Sequence, residues 1–145
     1  MGKYRLFTTP ASAERVASAL YLPNYLSFES ALSRYGILNL VPYTITFATT
    51  RKTRRFTVEG RDAEFRQIKR ALFWGYEMKG GIYVARPEKA FLDQIYLVVR
   101  GKASIDPDEL NLKGLSIKRL RVYSKKFPGY VGRYIEKLVA YPISP

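Results

Sequence analysis

The chain contains no cysteine and no histidine among its 145 residues. Without cysteine there is no disulfide framework, and the expected setting is intracellular and cytoplasmic. Without either residue the usual zinc sites, His-based acid–base pairs and Ser–His arrangements are excluded. Most common enzyme designs go with them, so the expectation is a non-enzymatic protein with neither metal nor cofactor. Long apolar runs are missing as well. The most apolar stretch, 87–100, is too short and too often interrupted by charge to read as a membrane span. Met1-Gly2-Lys3-Tyr4-Arg5 is not followed by an apolar run, so no secretory signal is expected. No internal repeat or low-complexity segment is visible. Acid is scarce: 12 Asp and Glu stand against 25 Lys and Arg, a net charge of +13 at pH 7. Such charge repels itself in a small domain, which points to a polyanionic or acidic partner. The blander alternative is that it serves solubility or reflects a basic proteome.

What is present suffices for one compact domain with a core, since 47% of the residues are hydrophobic. The organising stretch is 87–100. Pro87 suits the first helical position, Glu88 places negative charge where the helix dipole favours it, and Gly101 is a natural stop. Ala90, Phe91, Leu92, Ile95, Leu97, Val98 and Val99 cover most of the circumference and leave Lys89, Asp93 and Arg100 as a narrow polar stripe. A helix apolar on nearly all sides belongs inside a domain.

Around it, Lys3–Phe7 reads as a short strand, and Thr9-Pro10 opens a helix to about Tyr21, with Val16, Ala17, Leu20 and Tyr21 on one side. Ser27 reads as the cap of a second helix ended by Gly36. Residues 43–59 read as a hairpin of two strands, 43–48 and 56–58, with a basic, hydroxyl-rich tip, followed by a turn at Gly60-Arg61-Asp62. Residues 63–74 are ambiguous, because Phe65, Ile68 and Leu72 have helical spacing. Gly80-Gly81 is a turn into a strand at Ile82–Ala85, without the lysine pattern of a phosphate loop. Asp106-Pro107-Asp108 reads as a capped helical turn better than as a metal-binding carboxylate pair. Ser116 caps a helix over 117–127, Pro128-Gly129 breaks it, a last amphipathic helix fills 130–140, and 141–145 is an extended tail. The expected class is α+β: a small, mainly antiparallel sheet from about 43–85, with helices from both ends packed on it and 87–100 buried at the centre.

Four blocks, in order, resemble a known family. Tyr25-Leu26-Ser27-Phe28-Glu29-Ser30-Ala31-Leu32 with Gly36-Ile37 is similar to the "YLS-x-ESAL-xx-GL" segment of AbiEi-type antitoxins, the regulatory half of type IV (abortive infection) toxin–antitoxin systems. Thr49-Thr50-Arg51 resembles that family's "TTR", Phe73-Trp74-Gly75-Tyr76-Glu77 its "F-x-G-[FY]-E", and Tyr83 to Asp93 its "[YV]-x-A-x-PEKALLD". The blocks span roughly 21–100. The resemblance implies that 63–69 is extended, which breaks the tie toward strand. Family members carry a winged helix-turn-helix ahead of this region, which binds operator DNA and represses the operon. No recognition helix precedes Lys3 here, so 1–145 is expected to correspond to the family's C-terminal domain, either as a shortened member or as part of a longer chain. That domain is associated in the family with antitoxin activity and self-association on DNA, and the toxin partner is a nucleotidyltransferase-fold protein. The implied role is an antitoxin-like or transcriptional-regulator-like domain, without membrane association. The alternative is a stand-alone DNA- or RNA-binding module with no toxin partner.

Two basic clusters are the candidate contacts for nucleic acid or a protein partner. One is the tip, with Arg51, Lys52, Arg54 and Arg55; guanidinium forks suit phosphates, and Thr49, Thr50 and Thr53 can add neutral contacts. The other is the outward side of 117–127, with Lys118, Arg119, Arg121, Lys125 and Lys126; Tyr123 and Tyr130 nearby are either base-stacking platforms or packing residues. Glu88, Lys89 and Asp93 read as a structural set, with Lys89 and Asp93 one turn apart and able to pair.

Overall fold

The computed structural model describes residues 10–140. The expected strand at Lys3–Phe7, the Thr9 cap and the 141–145 tail lie outside the described residues. Five helices, α1 (Pro10–Ser18), α2 (Phe28–Arg34), α3 (Pro87–Val99), α4 (Ile117–Ser124) and α5 (Gly129–Ala140), accompany six strands. The strands are β1 (Asn24–Leu26), β2 (Ile45–Thr49), β3 (Arg54–Val58), β4 (Arg61–Gln67), β5 (Tyr76–Lys79) and β6 (Ile82–Ala85), in one sheet of order β3-β4-β2-β1-β6-β5. No helix among the described residues is long and apolar enough to cross a membrane.

The class is α+β, but the sheet is mixed and starts earlier than the sequence pattern indicated. β2–β4 and β1–β6 pair parallel, while β1–β2, β3–β4 and β5–β6 are antiparallel. The expected 43–59 hairpin is corrected. β4 lies between β2 and β3, so those two strands never pair. The hairpin is β3–β4, turned by Glu59 and Gly60 with φ of 50° and 80°; two consecutive positive φ values give the turn that matches strand twist. Arg61 and Asp62, expected in that turn, open β4. The extended reading of 63–69 holds over 63–67, and the helical spacing of Phe65, Ile68 and Leu72 is coincidental.

Every side chain of β2 is buried although alternate residues face opposite sides, so both sheet faces are covered at the middle. α1 packs on β1, β3 and β6, α2 packs on β2 and α3, and α4 and α5 pack on α3. α1 ends at Ser18, short of Tyr21, and its inward side is Ala13 and Ala17, with Val16 and Leu20 turned out.

Helix α3 begins at Pro87 and is buried from Glu88 through Leu97. That burial includes Lys89 and Asp93, both 0% exposed, so most of the expected polar stripe points inward. Phe91, Leu92 and Ile95 join Phe28, Leu32 and Ile37 in the core. At about 1.5–3 kcal/mol for each large apolar side chain fully removed from water, this helix is a main source of cohesion.

Candidate nucleic-acid interface

The two basic clusters fare differently. Arg51, Lys52 and Thr53 form the crossover from β2 to β3, which is tied down by backbone and hydroxyl contacts: Tyr21 Oη donates to the Lys52 carbonyl at 2.8 Å, and Gln67 N donates to Thr53 Oγ1 at 3.0 Å. The Arg51 guanidinium lies 4.1 Å from the Tyr21 ring centre and donates to the Leu22 carbonyl at 3.1 Å. Arg54 lies over the Phe56 ring at 4.7 Å. Strand pairing sets Arg55 opposite Glu64, and it makes 2.9 Å contacts with both Asp62 and Glu64. Glu64 and Glu29 in turn hold Arg66 at 2.8 Å each. Burial alone would raise the Glu64 pKa, but hydrogen bonds and charge from Arg66 and Arg55 outweigh it and lower the carboxyl. This cluster is therefore not a hairpin tip, and Arg55 is occupied by the chain's own carboxylates, while among the described residues no carboxylate pairs with Arg51, Lys52 or Arg54.

Helix α4 starts where Ser116 Oγ accepts from Arg119 N at 3.1 Å, and ends at Ser124, three residues short of the expected 127. Leu120 and Phe127 anchor it inward, while Ile117 is exposed. Glu88, only 2% exposed, holds the helix entrance: its Oε2 accepts from Ser116 N at 2.9 Å, and Arg119 Nη1 lies 3.6 Å from its Oε1. Tyr123 packs edge-on against Trp74 and Tyr130 stacks on Tyr96, so both are packing residues. Lys126 reaches over Trp74 at 5.1 Å. Among the described residues no carboxylate pairs with Lys118, Lys125 or Lys126.

The short Lys125–Pro128 connection folds α5 back beside α4 and brings in two cations that composition alone did not single out. A shallow cleft of about 500 Å³ opens between Arg121 of α4 and Lys125 just after it on one side, and Gly129, Gly132, Arg133 and Lys137 of α5 on the other. Arg121 forks onto Glu136 across it, Nε to Oε2 at 2.9 Å and Nη2 to Oε1 at 3.1 Å. The fork's hydrogen bonds hold Glu136 below the ordinary carboxylate range. Arg133 and Lys137 were legible in principle: they sit four apart on α5, away from the buried Val131 and Ile135, and helices joined by a short loop pack side by side.

Beneath this surface lies a buried polar knot. Lys89 Nζ donates to Asp93 Oδ1 and Tyr25 Oη, both at 2.6 Å, while Tyr25 Oη and Ser27 Oγ donate to Asp93 Oδ2 at 2.7 and 2.8 Å. Ser27 thus gives its hydroxyl to Asp93, and no side-chain cap bond forms on α2. The rings of Tyr25, Trp74 and Phe127 surround Lys89 Nζ at 5.1, 5.0 and 5.4 Å. Burial lowers the Lys89 pKa against the opposing pull of Asp93, and burial followed by Asp93 raises Tyr25 well above its ordinary value. The knot is sealed from solvent, so it holds α3 against β1 and offers nothing to a substrate. Asp106 is used as a cap, its Oδ1 accepting from Asp108 N at 3.0 Å, and no group of three potential metal ligands exists among the described residues.

No protein-family profile, curated protein or solved structure matches the chain.

Proposed function

We propose that this is a non-enzymatic, antitoxin-like or regulator-like domain of a type IV toxin–antitoxin system, acting in the cytoplasm by binding through its α4 surface. The observation that supports binding is Lys118 on α4 with Lys125 and Lys126 in the connection that follows it, and no carboxylate among the described residues pairing with them. Cations held on and beside a packed helix attract an anionic chain, and displacement of its counterions drives association. The toxin–antitoxin setting is supported by the four sequence blocks alone. In this reading the first cluster is secondary: Arg55 is taken by Asp62 and Glu64, which leaves Arg51, Lys52 and Arg54 as further contacts on the crossover.

The test is fluorescence anisotropy with DNA of the chain's own promoter and with bulk RNA at low and physiological salt, beside co-purification with the product of the neighbouring gene. Salt-sensitive binding weakened by Lys118→Ala/Lys126→Ala is the expected outcome. No binding to any nucleic acid at low salt would overturn the nucleic-acid reading. A neighbour without a nucleotidyltransferase fold that fails to co-purify would overturn the antitoxin reading and leave a stand-alone binding module.

A further inference from the structure

We propose that the α4–α5 cleft is a sequence-independent seat for the phosphodiester backbone of duplex nucleic acid, with Arg133 and Lys137 of α5 as its second wall; this rests on the binding reading above. Four cations line the cleft, Arg121 and Lys125 from the end of α4 and the residue after it, Arg133 and Lys137 from α5. Its floor carries no side chain at Gly129 or Gly132. A Cβ at Gly129 would come within 3.2 Å of Arg133 Nη1, so the bare position gives that guanidinium its place. With Arg133 seated over Gly129, a phosphate backbone entering the cleft meets cations from both sides. Single strands are held mainly on exposed aromatic faces. None of the eight residues lining the cleft is aromatic, which favours a duplex, whose bases are turned away.

Glu136 is the one carboxylate in the cleft, and both its oxygens are engaged by Arg121. The pair is fully exposed, so its loss has little bearing on the fold. Its effect is instead on binding: Glu136 occupies the fork that would otherwise meet a phosphate, and it adds the only negative charge there.

The experiment measures anisotropy of a labelled duplex of unrelated sequence over a salt series, with single-stranded DNA and poly-glutamate as further arms. Arg133→Ala/Lys137→Ala is expected to weaken duplex binding by about tenfold or more and flatten the log–log salt slope by about 1.8, one phosphate per cation. Arg133→Lys/Lys137→Arg should restore it. Glu136→Gln should bind about threefold tighter, with a steeper slope by about one. Lys69→Ala, an exposed cation between β4 and β5, should leave binding unchanged. An alanine double variant that binds like the parent, while Lys118→Ala/Lys126→Ala does not, overturns the cleft and spares the α4 reading; no binding of duplex, single strand or bulk RNA by the parent at low salt overturns both. Tighter binding of the single strand overturns the duplex assignment. Displacement by poly-glutamate at equal charge overturns the phosphate assignment.

Discussion

Replacing Lys89 by methionine isolates the buried charge pair. Methionine keeps a linear stem on Gly75 and a polarisable end among the rings of Tyr25, Trp74 and Phe127, so packing changes little. What is lost is the cation facing Asp93, which is 0% exposed and keeps only the hydroxyls of Tyr25 and Ser27. Removing one partner of such a pair costs about 3–5 kcal/mol, a large share of the ~5–15 kcal/mol that holds a domain together. With a urea slope of roughly 1.5 kcal/mol per molar, the midpoint should fall by about 2–3 M. The chain's single tryptophan, Trp74, lies 5.0 Å from Lys89 Nζ and is the natural fluorescence probe. The double variant Lys89→Met/Asp93→Asn separates charge from packing: with no carboxylate left without its cation, it should recover much of the loss. A single variant that loses less than about 1 kcal/mol at pH 7, or a double variant no more stable than the single one, refutes the reasoning.

Glu64 gives the fold a pH dependence. Its folded pKa is lowered, so its contribution is complete above the unfolded value of about 4.3 and is lost as pH falls through the folded one. Thermal melts from pH 6 to 3 should show the parent losing more stability than Glu64→Gln; parallel curves count against the Arg55–Glu64–Arg66 network. Gly75→Ala should cost at least about 2 kcal/mol, because φ is +79° and the new Cβ would sit 2.8 Å from the buried Lys89 Cγ. Gly60→Ala shares the left-handed backbone, at φ +80°, but meets nothing within 4 Å, so it should lose only the conformational part, about 1–2 kcal/mol. Equal losses in urea unfolding would mean that the Lys89 stem does not fill the space over Gly75.

Local signals were legible and non-local ones were not. The 87–99 helix follows from Pro87, Gly101 and the apolar run between them, and the α4 start follows from Ser116. Strand order does not follow from any local pattern. β4 reaches its place between β2 and β3 through a parallel pairing with β2, and nothing near residue 63 in sequence encodes that partner. β5 does alternate, Tyr76 and Met78 against Glu77 and Lys79, but four residues are the shortest run in which that pattern marks a strand, and it lies on a sheet edge. Ser27 has the chemistry of a cap, yet its hydroxyl is taken by a carboxylate 66 residues away. The same limit applies to the cations. Their number is plain from composition, but whether Arg55 is free depends on Asp62 and Glu64 arriving across a hairpin.

Charge balance is an argument for placing the proposed binding surface toward the C-terminal end. Eight of the carboxylates in the described residues take part in ion pairs, from Glu14 to Glu136. Even complete pairing of all 12 would leave an excess of 13 cations, so the surplus must lie where acid is missing. After Glu109 the sequence has one acidic residue, Glu136, and it is followed by none. Over the same stretch α4, α5 and their connection carry Lys118, Arg119, Arg121, Lys125, Lys126, Arg133 and Lys137. Glu88 sets the direction of this surplus. From the first turn of the buried α3 it fixes the α4 entrance through Ser116 N, and Arg119 closes on its other oxygen. The Pro-Glu-Lys segment therefore has a division of labour that follows from geometry: Pro87 starts the central helix, Lys89 closes the knot against β1, and Glu88 aims the cationic helix outward.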